Sequence, residues 1–139
     1  DSLARLREEP QLIATTVEEC LRFESSNQLG NRLVVERTVV REVVLEPATY
    51  LTLCIGAANR DPDEFADPDR FDIARAPNRH LAFAAGAHAC AGMAVARLEG
   101  RIAIARAVQR FPQLQLAGEP VRGRRARFRG FTSVPARVR

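Results

Sequence analysis

Lysine and tryptophan are absent from the 139 residues, and tyrosine and methionine occur once each. Every basic residue is therefore arginine, and the formal net charge is +4. No Cys-x-x-Cys pair is present. The three cysteines, Cys20, Cys54 and Cys90, are odd in number and irregular in spacing, which excludes a disulfide framework. A reducing compartment fits them better. No charged-then-apolar leader opens the chain, so no signal peptide is expected. The longest apolar stretch, Leu81 to Ala96, contains His88 and Cys90 and is too short to span a bilayer. A soluble, cytoplasmic protein without a membrane partner is expected. The chain starts at Asp1 without an initiator methionine, which reads as a trimmed or partial product. No internal repeat or low-complexity tract occurs.

The composition is that of a globular protein, with 46% apolar residues and enough length for one domain with a core. Much of the positive charge lies at the end, in Arg122, Arg124, Arg125, Arg127, Arg129, Arg137 and Arg139. Such a cluster can bind phosphates or acidic partners, or simply coat a solvated strand pair. Only Phe128 and Phe131 lie near it, which weighs against a nucleic-acid interface. A structural zinc ion needs four ligands. His80, His88 and Cys90 supply three, with no obvious fourth.

Ile13, Val17 and Leu21 recur at a spacing of four, so Leu12 to Phe23 reads as a helix with one apolar face. The Val-rich stretch from Arg32 to Leu45 reads as two strands, Arg32–Arg37 and Val39–Leu45. Pro47 marks a turn, Leu51–Ile55 a further strand, and Ala57–Arg60 one helical turn. From Asp61 to Arg79 the chain is dense in Pro, Asp and Asn, with Phe65 and Phe71 as anchors. An ordered, irregular loop is expected there, of a length that is often functional. Ala91 to Arg110 is a strong helix former whose apolar positions run round most of its circumference, which predicts burial. Short strands and turns follow Phe111-Pro112.

Cys90 is the first candidate for chemistry. A lone cysteine is commonly a small buried hydrophobe. This one stands just before a long helix, where free N–H groups and the helix dipole favour an anion. A thiolate is the metal-binding form of the side chain. Gly86 and Gly92 flank it and allow close approach by something flat, and Phe83 is placed to cover the sulfur. On a helix, Glu19 and Arg22 at i and i+3 can form an ion pair; Glu19 could instead close a capping box with Thr16. His88 could be a loop histidine that bonds to backbone.

The run from Phe83 to Gly92, Phe-Ala-Ala-Gly-Ala-His-Ala-Cys-Ala-Gly, resembles the haem-binding signature of the cytochrome P-450 family, Phe-Gly-x-Gly-x-His/Arg-x-Cys-x-Gly. It matches at Phe83, Gly86, His88, Cys90 and Gly92, and departs at Ala84, where the family usually has Gly. A methyl group disfavours positive φ, so a slightly re-shaped loop is expected. Leu81-Ala82-Phe83 and Ala96-Arg97-Leu98-Glu99 also look like bacterial members. Glu19-Cys20-Leu21-Arg22 resembles the family's Glu-x-x-Arg motif, whose pair is joined by a third basic residue from the irregular loop. Arg70 is the candidate and Arg75 the alternative.

The resemblance runs through the whole chain and implies a mainly α fold with small antiparallel β-sheets. Residues 1–139 would be the C-terminal haem-binding portion, with the distal N-terminal portion absent. It implies haem b (iron protoporphyrin IX), with Cys90 as iron ligand and Phe83, Gly86 and Gly92 around it. Arg32 and His88 would take the propionates, as guanidinium forks suit carboxylates. Glu19, Arg22 and Arg70 would be structural supports. Asn27, in the polar stretch Ser26 to Asn31 where the family usually has Pro at Ser26, would face substrate, as would Phe131 and Thr132. The implied activity is that of a haem-thiolate monooxygenase acting on a small organic substrate, with a redox partner such as a ferredoxin. No residue beyond Cys90 would be catalytic here, because the distal helix with its acid–Thr pair is not found, and the fragment alone would be inactive. A non-catalytic haem-binding or sensor module is the alternative, and would take up haem without turnover.

Overall fold

The computed structural model describes residues 1–138. Helix α1 (Ser2–Glu8) is capped by the Asp1 carboxylate on the Leu3 N–H and leads through a short 3-10 turn, Pro10–Leu12, into α2 (Ile13–Phe23). The predicted helix over Leu12–Phe23 is thus present, with Leu12 as its cap. Thr16 closes no capping box: its hydroxyl donates back to the Leu12 carbonyl at 2.8 Å, which leaves Glu19 free for other partners.

Strand β1 (Leu29–Leu33) pairs antiparallel with β4 (Tyr50–Cys54), and Arg32 lies opposite Leu51. Between them stands a hairpin of β2 (Thr38–Val40) and β3 (Val43–Leu45). Val39–Leu45 is therefore not one strand. The hairpin turns at Arg41 and Glu42, with Arg41 at φ 53°. Two-residue turns are usually announced by Asn-Gly or Asp-Gly, and this one is not. The other predicted strand, Arg32–Arg37, is displaced to begin at Leu29, because pairing with β4 sets its limits. The helical turn α3 (Ile55–Ala58) follows β4 directly, and an irregular segment then runs to the 18-residue α4 (Met93–Arg110). The tail forms two more antiparallel pairs. β5 (Gln115–Leu116) joins β8 (Ala136–Arg137), and β6 (Val121–Arg122) joins β7 (Phe131–Ser133).

The apolar core is small: Leu6, Ile73 and Val108, with Leu3, Leu12, Ile13, Phe71 and Ile104 packed around them. It holds α1, α2 and α4 together. Helix α4 approaches α2 closely at Gly100, where an added Cβ would stand 3.2 Å from Val17 Cγ1. An alanine gains helix propensity of up to about 1 kcal/mol and needs only a small yield from Val17. Gly100→Val is expected to overpack the contact and destabilise by about 1–3 kcal/mol in urea denaturation.

The expected burial of α4 is not found. Only Val108 of this helix is buried, and Val95, Leu98 and Ile102 are 55–58% exposed. One face packs on α1 and α2, and the remaining apolar circumference meets no partner among the described residues.

Candidate functional site

The deepest side chains are polar: Arg22, Glu19, Asn59 and Ser25 are each at most 1% exposed. Arg22 and Glu19 form a two-pronged pair with both contacts at 2.8 Å. The rest of the guanidinium donates to the carbonyls of Asn59, Pro68 and Arg70. Glu19 also accepts from the Asp72 N–H, the Arg75 Nε–H and the Asn78 amide. The third basic side chain on Glu19 is therefore Arg75, not Arg70. Arg70 is exposed and contributes its carbonyl, to both Arg22 and Arg75. The loop turns its side chain away while presenting its backbone. Burial alone would raise the Glu19 carboxyl, but the Arg22 hydrogen bonds, the Asp72 N–H and the Arg22 and Arg75 charges hold it below the ordinary 4.5. Asn59 extends the cluster. Its amide donates to Ser25 Oγ, and its side-chain oxygen accepts the Leu81 N–H, both at 2.7 Å, so it reaches the start of the Cys90 segment.

That segment folds back on itself. The Cys90 N–H donates to the Phe83 carbonyl at 2.8 Å, and a 3-10 turn, Gly86–His88, lies inside the loop. Ala84 takes φ 57° and Gly86 φ 70°. Ala84 therefore adopts the left-handed conformation despite its methyl group, at a cost the closing hydrogen bonds offset. A Cβ on Gly86 would meet open space, so glycine serves the backbone there. At Gly92 the nearest atom to an added Cβ is Cys90 Sγ, at 3.9 Å. Cys90 is exposed, so Phe83 does not seal the sulfur; the ring is engaged by Arg97, whose guanidinium lies 4.9 Å from its centroid.

Beside this loop lies a cleft of about 620 Å³. Arg32 from β1 and His88 from the loop both line it, with Asn27, Ala84 and Ala85. One Arg32 nitrogen donates to the Asn31 carbonyl at 2.8 Å, which fixes the side chain near the strand. The side-chain oxygen of Asn27 is buried and unpartnered. Phe131 and Thr132 do not line the cleft. Phe131 lies under the Arg122 guanidinium, and the Thr132 hydroxyl donates to the Val121 carbonyl. Phe128 lines it instead, brought in by a bridge between Asn27 and Phe128.

A second carboxylate cluster was not legible in the sequence. Glu18 accepts two contacts from Arg97 Nε and one from Arg97 Nη2, at 2.8–3.0 Å, and a fourth from His80 Nε2 at 3.0 Å. The Ala82 N–H donates to His80 Nδ1, so the Nε2 of that ring carries the proton. Burial outweighs the pull of Glu18 and lowers His80 below 6.5, so its contact with Glu18 is a neutral hydrogen bond rather than an ion pair at pH 7. Glu18 is itself held low: burial would raise it, and the contacts from Arg97 and His80 prevail. All three groups, His80, Glu18 and Glu19, have depressed values in the fold. Each contributes stability above its ordinary value that is lost as pH falls through the folded one. His80 acts first, below pH 6.5, and the two carboxylates below 4.5. The thermal midpoint is expected to begin dropping as pH falls below 6.5, ahead of the carboxylates, and His80→Gln should flatten that first part of the profile.

A sequence profile of the Cytochrome P450 family matches residues 5–131. The chain belongs to the cytochrome P450 family. The "Biotin biosynthesis cytochrome P450" of Bacillus subtilis (strain 168) is 49% identical over 117 residues, which cover 84% of this chain and 30% of that protein. The 6-deoxyerythronolide B hydroxylase of Saccharopolyspora erythraea is 36% identical over 141 residues, covering 99% and 35%. The crystal structure of P450BioI in complex with an acyl carrier protein ligated to hexadec-9Z-enoic acid superposes with a TM-score of 0.96. Its identity is 44%, over 99% of this chain and 36% of that one. The P450 chain thus spans about a third of the length of these relatives. Its helices and small antiparallel sheets are those of the C-terminal part of the P450 fold.

The P450 family carries haem, and the residues here fit it. The exposed sulfur of Cys90 stands beside a Cβ-free glycine, and three basic side chains, Arg32, His88 and Arg127, line an adjoining cleft. No helix among the described residues is long and apolar enough to cross a membrane.

Proposed function

We propose that this chain is the haem-ligating portion of a haem-thiolate monooxygenase, with Cys90 as the iron ligand. The observation that carries the reading is the Cys90 loop. Its sulfur is exposed, its N–H is tied back to Phe83, and α4 begins three residues later. Haem b with a thiolate ligand supplies oxygen activation, because the electron density of the sulfur favours O–O cleavage.

The protein's part is ligation and orientation. Cys90 would ligate the iron. Arg32 and His88 take the propionates at the cleft, Arg32 through a fork that matches a carboxylate. Phe83, Gly86 and Gly92 give the loop its closed shape and its room. Glu19, Arg22 and Arg75 fix the frame on which the loop stands. Asn27 and Phe128 form part of the wall that a small organic substrate would meet. The likeness to P450BioI makes a long acyl chain the first substrate to try. A ferredoxin-like electron donor and a cytoplasmic location complete the reading.

The test is the reduced carbon monoxide complex of the protein carrying this chain. A red-shifted Soret band of the thiolate type is the expected result, and its absence overturns the ligand. Turnover with a donor separates the monooxygenase from a haem sensor, which would show the band and oxidise nothing.

A further inference from the structure

One carboxylate closes the Cys90 segment at both ends. Glu18 and Glu19 are adjacent on α2 and therefore point about 100° apart round the helix axis. Glu19 holds the irregular loop through Arg22 and Arg75. Glu18 faces a different stretch of chain. It accepts from His80, three residues before Phe83, and from Arg97, seven residues after Cys90. Arg97 in turn lies over the face of Phe83, at 4.9 Å, and the His80 ring stands 6.1 Å from the Phe83 ring. The Phe83 carbonyl receives the Cys90 N–H.

We propose that Glu18 is a positioning residue for the Cys90 ligand: through His80 and Arg97 it clamps the entry and exit of the ligand loop and sets Phe83, which fixes Cys90. The proposal rests on the reading of Cys90 as the iron ligand.

Burial separates this cluster from an ordinary surface pair. The His80 side chain is 2% exposed, Glu18 21% and Arg97 29%, against 45% and 40% for Arg5 and Glu9 on α1. Exposed pairs of the latter kind contribute little. The fork of Arg97 on Glu18 also fixes direction, which a single contact does not. The His80 tautomer is fixed from both sides, by Ala82 and by Glu18, so the ring cannot turn without losing two hydrogen bonds. Without the Glu18 charge Arg97 is free to leave Phe83, and the carbonyl that fixes Cys90 loses its brace.

The experiment uses the haem-loaded protein and follows the reduced carbon monoxide spectrum, haem dissociation and the urea midpoint together. Glu18→Gln is expected to weaken haem retention by roughly 10- to 100-fold, the range for groups that orient a metal ligand. It should also convert the thiolate-type band to the non-thiolate type correspondingly faster. Arg97→Lys keeps the charge but loses the fork, and should fall between wild type and Glu18→Gln. Glu9→Gln, on the surface pair, should change neither readout. If Glu18→Gln lowers the urea midpoint while band and dissociation rate stay within about twofold of wild type, Glu18 is a structural residue only and the proposal fails. Should Glu18→Gln not fold, Arg97→Lys carries the same two readouts, and a wild-type spectrum and dissociation rate there refute the clamp. A wild-type protein without any thiolate band is a different failure: it removes the ligand assignment on which the clamp depends.

Discussion

Arg22→Ala is expected to destabilise the fold by about 3–5 kcal/mol, the cost of leaving a buried charge without its partner. The guanidinium is fully buried and donates five hydrogen bonds, two to Glu19 and three to backbone carbonyls of Asn59, Pro68 and Arg70. Its removal orphans the Asn59 and Pro68 carbonyls, leaves that of Arg70 to Arg75 alone, and strips Glu19 of its closest counter-charge. Arg75, at 3.2 Å and 11% exposed, is a weaker partner, so Arg75→Ala should cost less. Arg70→Ala should stay within about 0.5 kcal/mol, because a surface side chain away from buried contacts rarely matters more and alanine keeps the carbonyl that is used. Chemical denaturation of the three variants gives the order directly. An Arg70 variant as damaging as Arg22→Ala would show that the described contacts are not those that hold the core.

Cys90→Ser is expected to abolish the thiolate-type band while leaving the fold nearly as stable as before. Serine matches cysteine in shape, and the side chain is exposed, so the change in stability should lie within about 0.5 kcal/mol. The ligand is another matter. Only an anionic sulfur gives the thiolate signature, and a serine hydroxyl does not replace it. Cys20→Ser and Cys54→Ser provide the contrast. Burial and the neighbouring Glu19 charge push the Cys20 thiol up, which disfavours its anionic form. Cys54 is exposed at the end of β4 and lines the cleft together with Ala84, Ala85 and His88, but it lies outside the Phe83–Cys90 loop that presents the ligand ahead of α4. Both variants should keep the band. A thiolate band in Cys90→Ser would move the iron to one of these sulfurs.

The parts of the fold that sequence makes legible are those decided locally. Spacing of four located α2, alanine richness located α4, and a ten-residue pattern located the Cys90 loop, although Ala84 holds its left-handed turn without the usual glycine. Glu19 and Arg22 could be paired from their i,i+3 spacing alone. What sequence hides is where distant chain comes back. Arg70 and Arg75 stand five residues apart in one irregular loop, and only its path decides which side chain reaches Glu19. His80 and Arg97 lie 62 and 79 positions from Glu18, with no periodicity to join them. Phe128 reaches the cleft through a bridge to Asn27 that no local signal announces. The apolar circumference of α4 was readable, but not which part of it this stretch of chain would cover. Val95, Leu98 and Ile102 remain open beside a helix face packed on Val17.

The hydrogen bonds around Cys90 have functional meaning only if its sulfur meets iron. X-ray absorption at the iron edge of the haem-loaded protein reads that bond without reference to turnover, substrate or partner. One sulfur scatterer in the iron shell, present in wild type and in Cys20→Ser and lost in Cys90→Ser, is the predicted result. A wild-type shell built from nitrogen and oxygen alone would contradict it.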